Sequence, residues 1–168
     1  HRARPLQTET STTPISPRDI PIIKLQPFAN EFAADITGVD VSQLSAQDFE
    51  RIYAAWLAHG VVRIRGQRID EAGLQTFGAQ FGPLEEAPLG RMSEADKAKI
   101  KNRYVTQLSN IVVDGKPIGG LGNAEANWHS DMTYVETAPP AGVLLGIEIP
   151  PAGGDTYFAD QCAAYEML

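Results

Sequence analysis

An apolar run at residues 143–149 stops against Pro150-Pro151, turns through Gly153-Gly154 and resumes at residues 156–158. Proline donates no backbone N–H and breaks a helix, and paired glycines suit a tight reversal, so this stretch reads as two short strands around a turn. The same punctuation recurs upstream. Residues 21–26 and 32–41 cluster β-branched side chains between Pro, Asn and Gly, residues 61–65 place Val62 and Ile64 on one face, and Asp114-Gly115 marks a hairpin between two short strands. The chain is therefore expected to be built mainly of β-strands, with helices between them.

Two helices are legible. Ser45 can accept the backbone N–H of Asp48, and Asp48 complements the positive end of the helix dipole. Phe49, Ile52, Tyr53, Trp56 and Leu57 then follow at helical spacing, and Gly60 supplies the stop. A second helix is predicted over residues 70–81, burying Leu74, Phe77 and Phe81 before Gly82-Pro83. A shorter amphipathic patch opens at Ser93. Residues 119–123 read as a glycine-rich loop, either a lid or a surface insertion. Residues 1–19, rich in Thr, Ser and Pro, read as a flexible arm, which leaves residues 20–168 as one domain.

Charge and cysteine usage narrow the partners. A formal net charge of −7 argues against binding to nucleic acid or anionic membrane, both of which need clustered Lys and Arg. No apolar run is long enough to span a bilayer. A small-molecule substrate is the expected partner, and a homo-oligomer is left open. The single cysteine, Cys162, cannot form an internal disulfide, which fits a cytoplasmic setting; it reads as a small buried residue. The chain begins at His1 and stops at Leu168 inside an apparent helix start, so both ends are expected to be cut.

The chemistry concentrates in Asn127-Trp128-His129-Ser130-Asp131. On a strand, residues two apart point the same way, so His129 and Asp131 would project together and share an ion. With a further histidine they would make a 2-His-1-carboxylate triad, which leaves adjacent positions open for a cosubstrate and O2. Trp128, Tyr134 and Phe158 read as core aromatics of a sheet. Taken alone, His-x-Asp is a weak signal.

The stretch NWHSDMTYVETAPPAGVLLGIEIPPAGGDTYFADQCAAYEML, from Asn127 onward, resembles the TauD/TfdA family of Fe(II)/2-oxoglutarate dioxygenases. The likeness extends upstream through the helix ending in His59 before Val61-Val62-Arg63-Ile64-Arg65, and through Phe81-Gly82-Pro83-Leu84. It covers nearly all of residues 22–168. The resemblance implies a double-stranded β-helix, a jelly roll with helices outside, and an enzyme using Fe(II), 2-oxoglutarate and O2 to hydroxylate a small organic acid with release of succinate and CO2. It implies His129 and Asp131 as iron ligands and Thr156 as the anchor for the distal carboxylate of 2-oxoglutarate. Glu125, Asn127, Met132 and Tyr134 fall at positions implied to approach substrate.

The family pattern also calls for a distal histidine followed by an arginine, and no histidine follows His129. Both are expected beyond Leu168. His59, at a helix C-terminus, is not expected to ligate. Taurine-specific members carry His-Pro-x-Tyr after Phe-Gly-x-Leu, where this chain has Ala87-Pro88-Leu89-Gly90, so another sulfonate, an alkyl sulfate or an aryloxyalkanoate is expected instead. The rival readings are a metal-free jelly-roll binding or structural module and a hydrolytic zinc site, the latter poorly served by one His and one Asp.

Overall fold

The computed structural model describes residues 23–86, 97–98, 100, 102–117, 119–121 and 127–168. The N-terminal arm, the helical patch at Ser93, Glu125 and residues 87–90 lie outside the described residues.

The ordered centre is a three-stranded sheet with helices packed on one face. β1 (Lys24–Pro27) pairs antiparallel with β2 (Ala34–Thr37), which pairs parallel with β3 (Val62–Ile64). A parallel pair needs a crossover, and here it is α1 (Ala46–His59). The period-2 rule decides the faces: Ala34 and Ile36 are buried, whereas Asp35 and Thr37 point away from the core.

α1 begins and ends as its sequence demands. The Ser45 hydroxyl accepts the Asp48 N–H at 3.1 Å and donates to the Asp48 carboxylate at 2.8 Å. Gly60 closes the helix at φ 70°, where its N–H reaches the Trp56 carbonyl. Ile52 and Ala55 are buried against the sheet, while Leu57, expected in the apolar stripe, is 64% exposed because it lies off that face. α2 (Glu71–Gly78) is capped by Asp70 and passes into a 3-10 turn at Ala79–Phe81. Phe77 is buried, and Phe81 packs edge-on against Phe49, Trp56 and Phe77 at centroid separations of 5.1–5.6 Å. Ile36, Val41, Ile52, Ala55 and Phe77 form the core, with Val62, Ile64, Leu44 and Val143 against it.

Downstream, β5 (Val112–Val113) and β6 (Lys116–Pro117) form the expected hairpin; Asp114 and Gly115 both take positive φ, 50° and 74°, as a two-residue turn of this hand requires. β4 (Leu108–Ser109) pairs parallel with β7 (Gly120–Leu121), so part of the expected glycine-rich loop is a short strand. The last helix, α3 (Gln161–Glu166), is capped by Asp160.

Residues 127–131, 143–149 and 156–158 are not strands among the described residues, whose sheets are one of three strands and two of two strands. A strand exists only where another completes its ladder, and no described segment pairs with these three. For the same reason the aromatics lack a sheet face to cover them: Trp128, Tyr134 and Phe158 are 72%, 70% and 54% exposed. Cys162, expected to be buried, is exposed on α3.

Candidate metal and cosubstrate site

His129 and Asp131 meet, although not by way of a strand. Asp131 opens a turn in which Met132 takes φ 52° and the Val135 N–H donates to the Met132 carbonyl at 3.2 Å. His129 Nε2 stands 3.1 Å from Asp131 Oδ1. On its other side, His129 Nδ1 lies 2.6 Å from the Asn127 carbonyl. A carbonyl only accepts, so Nδ1 carries the proton that joins them; in the neutral ring Nε2 is then the lone-pair nitrogen on the Asp131 side. The Asn127 carbonyl foremost raises the His129 pKa above its ordinary value, opposed by desolvation and helped less by the Asp131 charge and hydrogen bond.

The donor pair fits a divalent transition metal. Two ligand atoms about 2.1 Å from an ion and at right angles to each other stand about 3 Å apart, which matches the Nε2 to Oδ1 separation. The mixed imidazole and carboxylate set suits iron, and both side chains are open to solvent, at 58% and 85% exposure. Among the described residues no group of three His, Cys, Asp or Glu side chains converges, so the pair supplies two positions of a coordination sphere.

The remaining sequence candidates are less gathered. Asn127 contributes its main-chain carbonyl to His129, an orienting role that residue-type reasoning missed; the i to i+2 spacing was its only signal. Met132 is half-buried beside Asp131, and Tyr134 stands exposed two residues on. Thr156 lies on an exposed, non-helical, unpaired stretch after Gly153 and Gly154, whose φ values of 74° and 70° make the predicted turn. His59, by contrast, is tied up structurally: its Nδ1 is 2.6 Å from the Glu31 carbonyl.

The family model described as "Taurine catabolism dioxygenase TauD, TfdA family" matches residues 22–168. An alpha-ketoglutarate-dependent sulfate ester dioxygenase of Pseudomonas putida is 32% identical over 148 residues, covering 87% of this chain and 44% of the relative. A (S)-phenoxypropionate/alpha-ketoglutarate-dioxygenase of Delftia acidovorans is 30% identical over 146 residues, covering 87% and 49%. An alpha-ketoglutarate-dependent 2,4-dichlorophenoxyacetate dioxygenase of Cupriavidus pinatubonensis is 30% identical over 146 residues, covering 82% and 50%. The chain thus spans about half the length of the curated relatives it matches. With a match running from the first strand of the sheet through the His129–Asp131 turn to the last helix, the chain belongs to the TauD/TfdA family of dioxygenases.

Proposed function

We propose that the protein is an Fe(II)- and 2-oxoglutarate-dependent dioxygenase that hydroxylates a small organic acid of the alkyl sulfate, sulfonate or aryloxyalkanoate type, taurine itself not being among them. The observation that carries this reading is the 3.1 Å approach of His129 Nε2 to Asp131 Oδ1 in a chain of this family. His129 and Asp131 would hold the iron, with a second histidine completing the triad. Thr156 would donate its hydroxyl to the distal carboxylate of 2-oxoglutarate. Bound there, iron with 2-oxoglutarate and O2 would supply the oxidising power for hydroxylation, with succinate and CO2 released.

The chain's own residues have narrower tasks. The Asn127 carbonyl holds His129 Nδ1, so that Nε2 would be the nitrogen left to bind the ion. The substrate class is supported by the relatives, named for a sulfate ester in one and for aryloxyalkanoates in two. Ala87-Pro88-Leu89-Gly90 in place of His-Pro-x-Tyr supports the exclusion of taurine. The jelly roll expected from the resemblance remains part of this proposal, with residues 127–131, 143–149 and 156–158 becoming strands where partner strands are available to them.

The test is anaerobic addition of Fe(II) and 2-oxoglutarate to the natural full-length chain, followed by visible spectroscopy. A weak charge-transfer band from keto-acid chelation is expected in the parent and absent in His129→Ala. A folded parent without the band would replace this reading with the metal-free binding module. Thr156→Val is expected to keep the band but to require about tenfold more 2-oxoglutarate, the loss of one hydrogen bond to a charged group.

A further inference from the structure

Of the two histidines among the described residues, His129 is assigned to iron and His59 is not. His59 ends α1, where it meets the turn that joins β1 to β2. Its Nδ1 lies 2.6 Å from the Glu31 carbonyl, and because a carbonyl only accepts, Nδ1 carries the proton between them. The main-chain carbonyl of His59 in turn accepts the Ala33 N–H at 2.8 Å. One residue thus holds the turn twice, through its side chain and through its backbone.

The two residues it holds are the two that the turn strains. Glu31 and Ala33 take φ 60° and 73°, the left-handed region in which a Cβ crowds the neighbouring carbonyl, and neither is glycine. Backbone of that kind persists only where its surroundings hold it in place. Within the turn, the Phe28 N–H donates to the Ala33 carbonyl at 3.0 Å and the Glu31 N–H to the Phe28 carbonyl at 2.8 Å. The Phe32 ring, between the strained residues, packs over Gly60, where an added Cβ would stand 2.8 Å from its Cε2. At the other end of the turn the Arg63 guanidinium lies 5.3 Å from the Phe28 ring centroid. The β2–β3 ladder follows directly, with the Ala34 N–H donating to the Val61 carbonyl at 2.9 Å.

We propose that residues 28–33 form a strap that opens on its own, ahead of the sheet, and that the Nδ1–H of His59 is its latch. Opening breaks both His59 bonds and the two bonds inside the turn, and it lets Glu31 and Ala33 relax to ordinary φ. The Ala34 to Val61 bond and the ladder behind it stay closed. Strain lowers the cost of opening and the imidazole raises it, so one side-chain hydrogen bond sets how often the strap is open. None of these residues is assigned to iron, 2-oxoglutarate or substrate, so the device stands or falls apart from the proposed oxygenase chemistry.

The experiment is native-state amide exchange on the natural full-length chain, at a series of urea concentrations well below the unfolding midpoint. The amides of Phe28, Glu31 and Ala33 are expected to exchange together through an opening that urea hardly promotes, because little surface is exposed in it. Ile36 and Ile52 are expected to show the full urea dependence of unfolding. His59→Leu removes the donor and is expected to speed exchange at the three strap amides about tenfold, with their weak urea dependence kept. His59→Asn places an amide N–H where Nδ1 stood and is expected to stay near the parent rate. Strap amides that follow the urea dependence of Ile52 in the parent would overturn the proposal, since no separate opening would exist. Unchanged strap rates in a folded His59→Leu variant, or His59→Asn as fast as His59→Leu, would overturn the role of the donor. A His59→Leu chain that does not fold would do the same, because the bond would then hold the whole core rather than the strap.

Discussion

At the scale of single residues, Asp35 shows how one side chain ties distant parts of the sequence together. Its hydrogen bond from Arg63 foremost, with a lesser one from Arg65, holds the carboxylate below its ordinary pKa against the opposing effect of desolvation. A depressed folded-state pKa means stability that is present above the unfolded value and is lost as pH falls through the folded one. The pair is half open to solvent, so the effect is modest. Asp35→Asn is expected to lower the urea midpoint at pH 7, and the difference from the parent should close as the pH is taken well below the ordinary carboxylate value of 3.8. A gap that persists unchanged at low pH would mean that the asparagine disturbs packing rather than charge. His129 and Asp131 were legible as a pair from their i, i+2 spacing, and the two side chains do meet, although the segment is not a strand. The Asn127 carbonyl was not legible, since main-chain acceptors carry no residue signature.

At the scale of elements, α1 was readable almost to the residue. Its start rests on the Ser45 hydroxyl and its end on Gly60, both local chemistry. Ser45→Ala is expected to cost about 1 kcal/mol in chemical denaturation, the usual worth of an N-cap. Gly60→Ala is expected to cost more, about 1–2 kcal/mol from the positive φ. A further cost arises because a Cβ there would lie 2.8 Å from the Phe32 ring. A Gly60→Ala variant as stable as the parent would show that the 31–33 turn relaxes to make room. Residues 143–149 and 156–158, expected as strands, are unpaired here for the complementary reason. Their composition suits a ladder, but hydrogen-bond partners come from other parts of a chain and cannot be read from the segment itself.

At the scale of the whole molecule, the described residues divide into a cored part and an open one. Every fully buried hydrophobic lies between Ala34 and Phe77, whereas residues 127–168 present Trp128, Tyr134, Leu144, Ile147, Ile149, Tyr157 and Tyr165 at 70% exposure or more. Val143 is the point where the second part touches the core. Amide exchange of this 168-residue chain should therefore be slowest for Ile36, Ile52 and Ala55 and near the unprotected limit over residues 144–158. Ile52→Ala should cost about 2–5 kcal/mol, since its side chain is fully enclosed. Uniform protection across both parts would show that the apolar surface of the second is covered in solution. No helix among the described residues is long and apolar enough to cross a membrane.

The sequence by itself determined α1 and the start of α2, the turns at Asp114-Gly115 and Gly153-Gly154, and the pairing of His129 with Asp131, because each rests on contacts within a few residues along the chain. Only the tertiary structure decided which β-like segments are strands, that Leu57 and Cys162 face solvent, and that Arg63 and Arg65 share one carboxylate. The β2–β3 pairing and the shared carboxylate join residues 28 to 30 positions apart, and ladder bonds exist only once such partners arrive.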